Sequence, residues 1–299
     1  MRKAIIDLGT NTFNLIVADI SLEKFEIVYH EKVGVSLGMG GINQHLLTED
    51  ALQRALDALE KFVRISDDLK VDHIYGIGTS AMRGAKNADF LLDMVMKKLN
   101  LHIEVIDGKR EAELIFKGVS YSHPINEPTL VMDIGGGSTE FISANNNEIE
   151  SLISLDIGVS RIYQSFNFSD PFNSDDVNKI EDFLEATAQG FFSNRKEQTL
   201  IGASGSFETF YELIEKQPFP DITSSLQLDL NALKNCLDDI IFSTDDQRSQ
   251  NNWIIPIRKK MAPIAAVKTR WVISKLPVSQ VYVSPFSLKE GALLVDNCS

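Results

Sequence analysis

One segment of this chain occurs twice. Ala4-Ile5-Ile6-Asp7-Leu8-Gly9-Thr10-Asn11-Thr12 aligns with Leu130-Val131-Met132-Asp133-Ile134-Gly135-Gly136-Gly137-Ser138, and the offset, 133 − 7 = 126, is close to half of the 299 residues. Each copy reads as a buried strand, an Asp, a glycine turn, hydroxyl residues and a second strand. The repeat predicts two α/β domains that face each other across a cleft, each donating one Asp and one hydroxyl-rich hairpin. A first domain over 1–124 and a second over 125–299 follow, with the last helix free to pack back on the first.

The rest of the pattern agrees with α/β halves. The spacing of Leu52, Leu56, Leu59, Phe62 and Val63 predicts a helix over 49–69 with Thr48 as its N-cap. Further helices are predicted over 88–99, 111–119, 177–192, 207–214, 231–242, 263–276 and 288–296, with strands at 72–78, 103–106, 140–144, 149–155, 199–203 and 281–284. The segments 169–176 and 244–252 are rich in Ser, Asn and Asp and read as surface loops.

Charge narrows the chemistry. The net charge is −13, which argues against general binding to duplex nucleic acid. A polyanionic substrate would be repelled by the average field, so it needs a local cluster of donors, basic side chains and metal ions. Only two cysteines occur, Cys236 and Cys298, with no CxxC. Their scarcity, the absence of a signal-like N-terminus and the lack of any long apolar run predict a cytoplasmic protein without a membrane segment.

Both hairpins suit phosphate. Gly9, Thr10, Asn11 and Thr12, and Gly135, Gly136, Gly137, Ser138 and Thr139, can each aim backbone N–H groups and hydroxyls into one concavity. Neither is a Walker A loop or a GxGxxG dinucleotide turn. The bland alternative is a plain β-turn, and the pairing of two such motifs, each behind an Asp, tips the reading to phosphate. Asp7 and Asp133 end equivalent strands and can hold Mg²⁺, or each can cap its own turn; the repeat favours the metal. Glu140 can add a carboxylate or position water. Arg83, beside the hydroxyls of Thr79 and Ser80 at a helix start, is either a phosphate ligand or a solvated surface charge. Glu111 opens a helix, where it either orients water or offsets the helix dipole, and the residues alone lean to the second. That position, with Lys109 and Arg110 adjacent, predicts an ionised carboxylate of lowered basicity. Gly205 and Ser206 lie in a Gly-Ala-Ser-Gly-Ser turn that lines the cleft or is a simple turn. The five scattered histidines form no zinc pattern.

These motifs together resemble the exopolyphosphatase/guanosine pentaphosphatase family, nearly end to end. Asp7–Phe13, Gly78–Arg83, Glu111–Val119, Gly202–Ser206 and Ser284–Gly291 each match a family motif, and Asp133–Glu140 (DIGGGSTE) is the most specific. The resemblance implies the actin-like, ribonuclease H-like superfold in its short two-domain form. It implies a metal-dependent phosphohydrolase that releases terminal phosphate from polyphosphate or guanosine pentaphosphate, with Mg²⁺ or Mn²⁺ as cofactor and K⁺ admitted. It makes Glu111 the general base and Arg83 its catalytic companion, and a homodimer is common in such relatives. Departures bear on substrate: Asn14, Ser36 and Glu208 stand at positions that are often basic, Arg110 where a Glu is common, and Lys289 where Arg is usual. Two alternatives stay open: a non-catalytic guanosine tetra- or pentaphosphate sensor, and a small-molecule kinase on the same fold.

Overall fold

The structure, a computed structural model, describes residues 1–21, 24–188 and 190–295. The first half runs β1 (Arg2–Leu8), β2 (Thr12–Ser21), β3 (Lys24–Gly34), α1 (Glu49–Asp68), β4 (His73–Gly78), α2 (Ser80–Gly84), α3 (Ala88–Leu99), β5 (Ile103–Val105) and α4 (Gly108–Ser122). The second runs β6 (Thr129–Ile134), β7 (Thr139–Asn145), β8 (Glu148–Leu155), α5 (Val159–Ser165), α6 (Ser174–Ala188), β9 (Thr199–Ala203) and α7 (Gly205–Glu215). It ends with β10 (Leu226–Leu228), α8 (Leu230–Ile241), α9 (Asp245–Gln250), α10 (Ala262–Lys275), β11 (Gln280–Val283) and α11 (Leu288–Leu293).

Two sheets result, ordered β3-β2-β1-β4-β5 and β10-β11-β9-β6-β7-β8. In each, a three-strand antiparallel meander is extended by parallel strands on the far side of its first strand. That is the ribonuclease H-like order, made twice, with β10 added as an antiparallel edge of the second sheet. The duplication is deeper than the sequence repeat showed. Asp7 pairs with Asn14 and Ile77, and Asp133 pairs with Glu140 and Ala203. The partners keep the same offset: 140 − 14 = 126 and 203 − 77 = 126. Asn14 is therefore the counterpart of Glu140, and Thr79-Ser80 that of Gly205-Ser206.

Alternation along the strands decides where the site forms. Side chains of a strand point alternately to its two faces. Ala4, Ile6 and Leu8 enter a core against α1 and α3, while Ile5 faces the other way. Leu130, Met132 and Ile134 enter the second half's core, while Val131 faces the other way. Ile5, Ile16, Ile77, Val131, Ile142 and Ile201 share one buried cluster with Ile115 and Val119 of α4 and Leu288 and Ala292 of α11. So α4 and α11 form a middle layer between the sheets, and α11 packs on α4, β1 and β2. Asp7, Asn14, Asp133 and Glu140 have the parity of this inner face. They sit where the layer opens, at the ends of their strands.

The segments expected to be loops partly fold. Asp245–Gln250 is helical because Thr244 and Gln247 form a reciprocal capping box, a signal present in the sequence. α6 begins at Ser174, within the other expected loop, and α5 and β10 were not foreseen. Asp296 and Cys298 lie outside the described residues. Among the described residues, no helix is long and apolar enough to cross a membrane.

Candidate active site

A cavity of about 160 Å³ opens between the halves, and both hairpins line it. The loops are buttressed from behind in matching ways. In the first, Val35 N and Ser36 N donate to Asn11 O, and Gly38 N to Thr10 O. In the second, Gly158 N, Val159 N and Ser160 N donate to Gly137 O, Gly135 O and Gly136 O. The carbonyls are thus used by the scaffold. Among the described residues, the N–H groups of Gly136, Gly137 and Ser138 have no carbonyl partner outside the strand ladder. Those donors remain for an anion.

The halves meet at Gly137. A Cβ there would lie 2.5 Å from Ser80 Oγ and 2.7 Å from Thr10 Oγ1, so glycine is required for this approach. Ser80 Oγ is buried, and among the described residues no group bonds to it. A buried hydroxyl without a partner at a cavity wall is expensive unless a ligand satisfies it. Further bonds hold the halves together: Asn43 Nδ2 to Ser165 Oγ at 3.0 Å, Gly40 N to Gln164 Oε1 at 2.8 Å, and Lys32 Nζ to Glu208 Oε2 at 3.0 Å.

Five carboxyls line the cavity: Asp7, Glu111, Asp133 and Glu140, clustered around the loops, and Glu208, which pairs with Lys32. Asp7 accepts from Asn14 Nδ2 at 2.9 Å, Asp133 from Ser287 Oγ at 2.5 Å, and Glu140 from Ser154 Oγ at 2.7 Å. Glu111 is reached by Arg83 Nη1 at 2.9 Å. Ser204, at φ 67°, holds a backbone conformation rare outside glycine, and its hydroxyl faces Ile134 O and the Asp133 carboxylate.

Burial dominates the electrostatics. It lifts Asp7 to about 6, against Lys289 and Asn14, with Asp133 adding to the rise. It lifts Glu111 to about 7, against Arg83, with Asp7 and Asp133 adding. Asp133 and Glu140 are raised for the same first reason. The expected low basicity of Glu111 is therefore corrected. Lys109 and Arg110 pair with Glu113 on the outer side of α4 and leave Glu111 alone, and desolvation outweighs the helix terminus. Lys268, fully buried beneath the second loop, donates to Thr139 Oγ1 and, at 2.6 Å, to Ile157 O. Burial lowers it to about 7, while Glu140 and Asp133 pull it back up.

The donor set fits a hard divalent cation. Oxygen ligands surround the cavity, and carboxyls raised first by burial and further by one another would be relieved by a cation. Among the described residues, however, no three acidic, His or Cys side chains are gathered closely enough to hold an ion by themselves. A Mg²⁺ here would be held by one or two carboxylates together with water and phosphate oxygens, which is its usual habit.

This gives a stability prediction. A carboxyl whose folded pKa is raised contributes fully below the unfolded range, near ~4, and loses that contribution as pH rises through its folded value. In chelator, Tm should fall as pH rises from ~4.5 through about 6 to about 7, the values of Asp7 and Glu111. Added Mg²⁺ should reverse the fall at the upper end. A Tm that rises over this window without metal would contradict the assignment.

Of the residues singled out in the sequence, Gly9, Thr10, Asn11, Thr12, Gly135, Gly136, Gly137, Ser138, Gly205, Ser206, Asp7, Asp133, Glu140 and Glu111 line the cavity. Thr139 lies just behind it on Lys268. Arg83 is not part of the wall; it backs Glu111 and also donates to Ile106 O at 3.0 Å. Four contributors were missed: Lys32, Ser80, Arg258 and Ser287. Arg258 left a trace, because a Cβ at Gly205 would collide with its guanidinium.

Comparison with known proteins places the chain in a family. The chain matches the Ppx/GppA phosphatase family over residues 16–297. It belongs to that family. The crystal structure of an exopolyphosphatase from Cytophaga hutchinsonii superposes with a TM-score of 0.94 at 36% identity, covering 98% of this chain and 96% of that one. The Ppx/GppA enzyme of Aquifex aeolicus superposes at 0.83 with 26% identity, covering 98% and 99%. Among curated sequences, a bifunctional 3-dehydroquinate synthase/phosphatase from Fusobacterium nucleatum is 32% identical over 73% of this chain and 35% of its own length. A guanosine-5'-triphosphate,3'-diphosphate pyrophosphatase from Aliivibrio fischeri is 30% identical over 75% of this chain and 46% of its own length. The chain thus spans less than half the length of these curated relatives.

Proposed function

We propose that this Ppx/GppA chain is a phosphohydrolase that releases terminal phosphate from inorganic polyphosphate or guanosine pentaphosphate by direct attack of water. The observation that carries the reading is Glu111, buried between two donor-lined loops that face each other across one cavity. The loop N–H groups and the hydroxyls of Thr10, Ser80 and Ser138 hold the oxygens of the terminal phosphate. Glu111 accepts the proton of the attacking water as the new P–O bond forms. The bridging P–O bond breaks, and the leaving phosphate carries away its electron pair. Lys32, Lys289 and Arg258 offset the charge that builds on that group. Lys268 and Ser154 hold Thr139 and Glu140 in place.

Asp7, Asp133 and Glu140 are the carboxylates that would hold Mg²⁺ or Mn²⁺, which would supply charge neutralisation and Lewis acidity. A chelator should abolish turnover and Mg²⁺ restore it.

The test is phosphate release with Mg²⁺ and no acceptor, measured side by side on long-chain polyphosphate, tripolyphosphate and guanosine pentaphosphate. Release from at least one is expected. Formation of a phosphate ester with an added acceptor alcohol, without free orthophosphate, would mark a kinase, and binding without either product a sensor.

A further inference from the structure

The cation pair at the inner wall of the cavity already holds an anion, and the anion belongs to the protein. Glu208 lies in the first turn of α7 and lines the cavity with Lys32, Arg258 and Lys289. Its carboxylate is 3.0 Å from Lys32 Nζ, on the opposite half of the molecule, and 3.5 Å from Arg258 Nη2.

Arg258 is mostly buried, whereas the Lys32 side chain is 36% exposed and held by its ion pair. Arg258 is fixed at its other nitrogen, where Nη1 donates to Thr209 Oγ1 at 2.8 Å, and its guanidinium lies against the bare backbone of Gly205. Lys32 sits on β3, whose register to β2 places it directly across from Asn14, the partner of Asp7. A fixed guanidinium and an ammonium converging on one acceptor from two sides is the arrangement that binds a phosphate group. Burial works to raise Glu208, but Lys32, Arg258 and Lys289 hold it down at about 2. It is anionic at neutral pH.

We infer that Glu208 is a built-in competitor for the phosphate groups behind the scissile one, occupying the Lys32–Arg258 pair and so weakening the hold on extended polyanions. The terminal phosphate is bound by the hairpin loops and is spared this competition. A second or third phosphate entering along the wall meets a carboxylate where it needs cations. It must displace Glu208 or share its partners, and like-charge repulsion opposes both. The inference rests on the phosphohydrolase reading for its kinetic consequence, and on the cation geometry alone for its binding consequence.

The experiment compares wild type with Glu208→Gln, which keeps the side chain's size and an acceptor for Lys32. Binding of orthophosphate and of tripolyphosphate is measured by calorimetry with Mg²⁺ withheld, and KM and kcat are measured with Mg²⁺ on chains of several lengths. Tripolyphosphate should bind about tenfold tighter in the variant, the scale of one charge-assisted hydrogen bond gained. Orthophosphate affinity should be unaltered, and the kinetic gain should appear in KM and grow with chain length. Glu208→Asp, which keeps the charge and shortens the reach, should move tripolyphosphate affinity partway. It also serves if Glu208→Gln lowers Tm enough to cloud the comparison. Unchanged or weaker tripolyphosphate binding in both variants would overturn the inference. Absence of phosphate release from every substrate would overturn the hydrolase reading and leave the calorimetric result to decide this one.

Discussion

Glu111→Gln is expected to lower kcat by ~10²–10⁴-fold, the usual cost of losing a positioned general base. The physical case is stronger than helix position alone could make it. Glu111 is 7% exposed and lies at the open end of the middle layer, and burial lifts it to about 7. A base with that value is basic enough to take a proton and is still substantially ionised near neutral pH. Gln keeps the shape, accepts from Arg83 through its carbonyl, and removes one of four mutually repelling carboxyls. Tm should therefore hold or rise while turnover collapses. Phosphate binding should be retained, because the loops supply it. Glu113→Gln is the control: its carboxylate pairs with Lys109 and Arg110 on the far side of α4. Wild-type turnover in Glu111→Gln would remove the base from the account. Loss in Glu113→Gln instead would shift the register of the motif.

Arg83→Ala should give the second largest effect, and its signature is in pH. Arg83 is the cation that restrains the rise of Glu111. Without it the Glu111 pKa moves further up, so less of the base is ionised at neutral pH. The ascending limb of kcat against pH should shift from near 7 to higher pH. At pH 7 kcat should fall by roughly 10–100-fold and recover in part by pH ~9, since ionisation is only one share of the loss. The other share is orientation, because Arg83 also ties Glu111 to Ile106 O on the strand-to-helix loop. A rise in KM alone, with kcat and its pH profile unmoved, would show that Arg83 binds phosphate in the ground state.

What could be read from the sequence was what repeats or what is local. The duplicated strand-Asp-turn unit foretold two facing halves, and strand parity carries Asp7, Asp133 and Glu140 to one inner face. α4 starts at Gly108, three residues before the expected 111, because the Asp107 side chain caps Arg110 N. The direction of the Glu111 shift was misread, because a helix terminus is legible locally and burial by a second half is not. The cations show the same limit. Asn14 and Glu208 read as losses of positive charge along the cleft, yet Lys32 and Arg258, far apart in sequence, supply charge to the same wall. Ser287 meets Asp133 across 154 residues, where β9 pairs in parallel with both β6 and β11. Lys268 reads as one polar position in an apolar helix, and only its contact with Thr139 reveals it as the support of the second loop.

In the proposed reaction, water activated at Glu111 attacks the terminal phosphorus and not the second one. Single-turnover hydrolysis of tripolyphosphate in ¹⁸O-water measures this most directly. One ¹⁸O should appear in the released orthophosphate and none in the remaining pyrophosphate, with the rate falling in Glu111→Gln and the label position unchanged. Label in the pyrophosphate, or a phosphate ester of an added acceptor alcohol in place of orthophosphate, would contradict it.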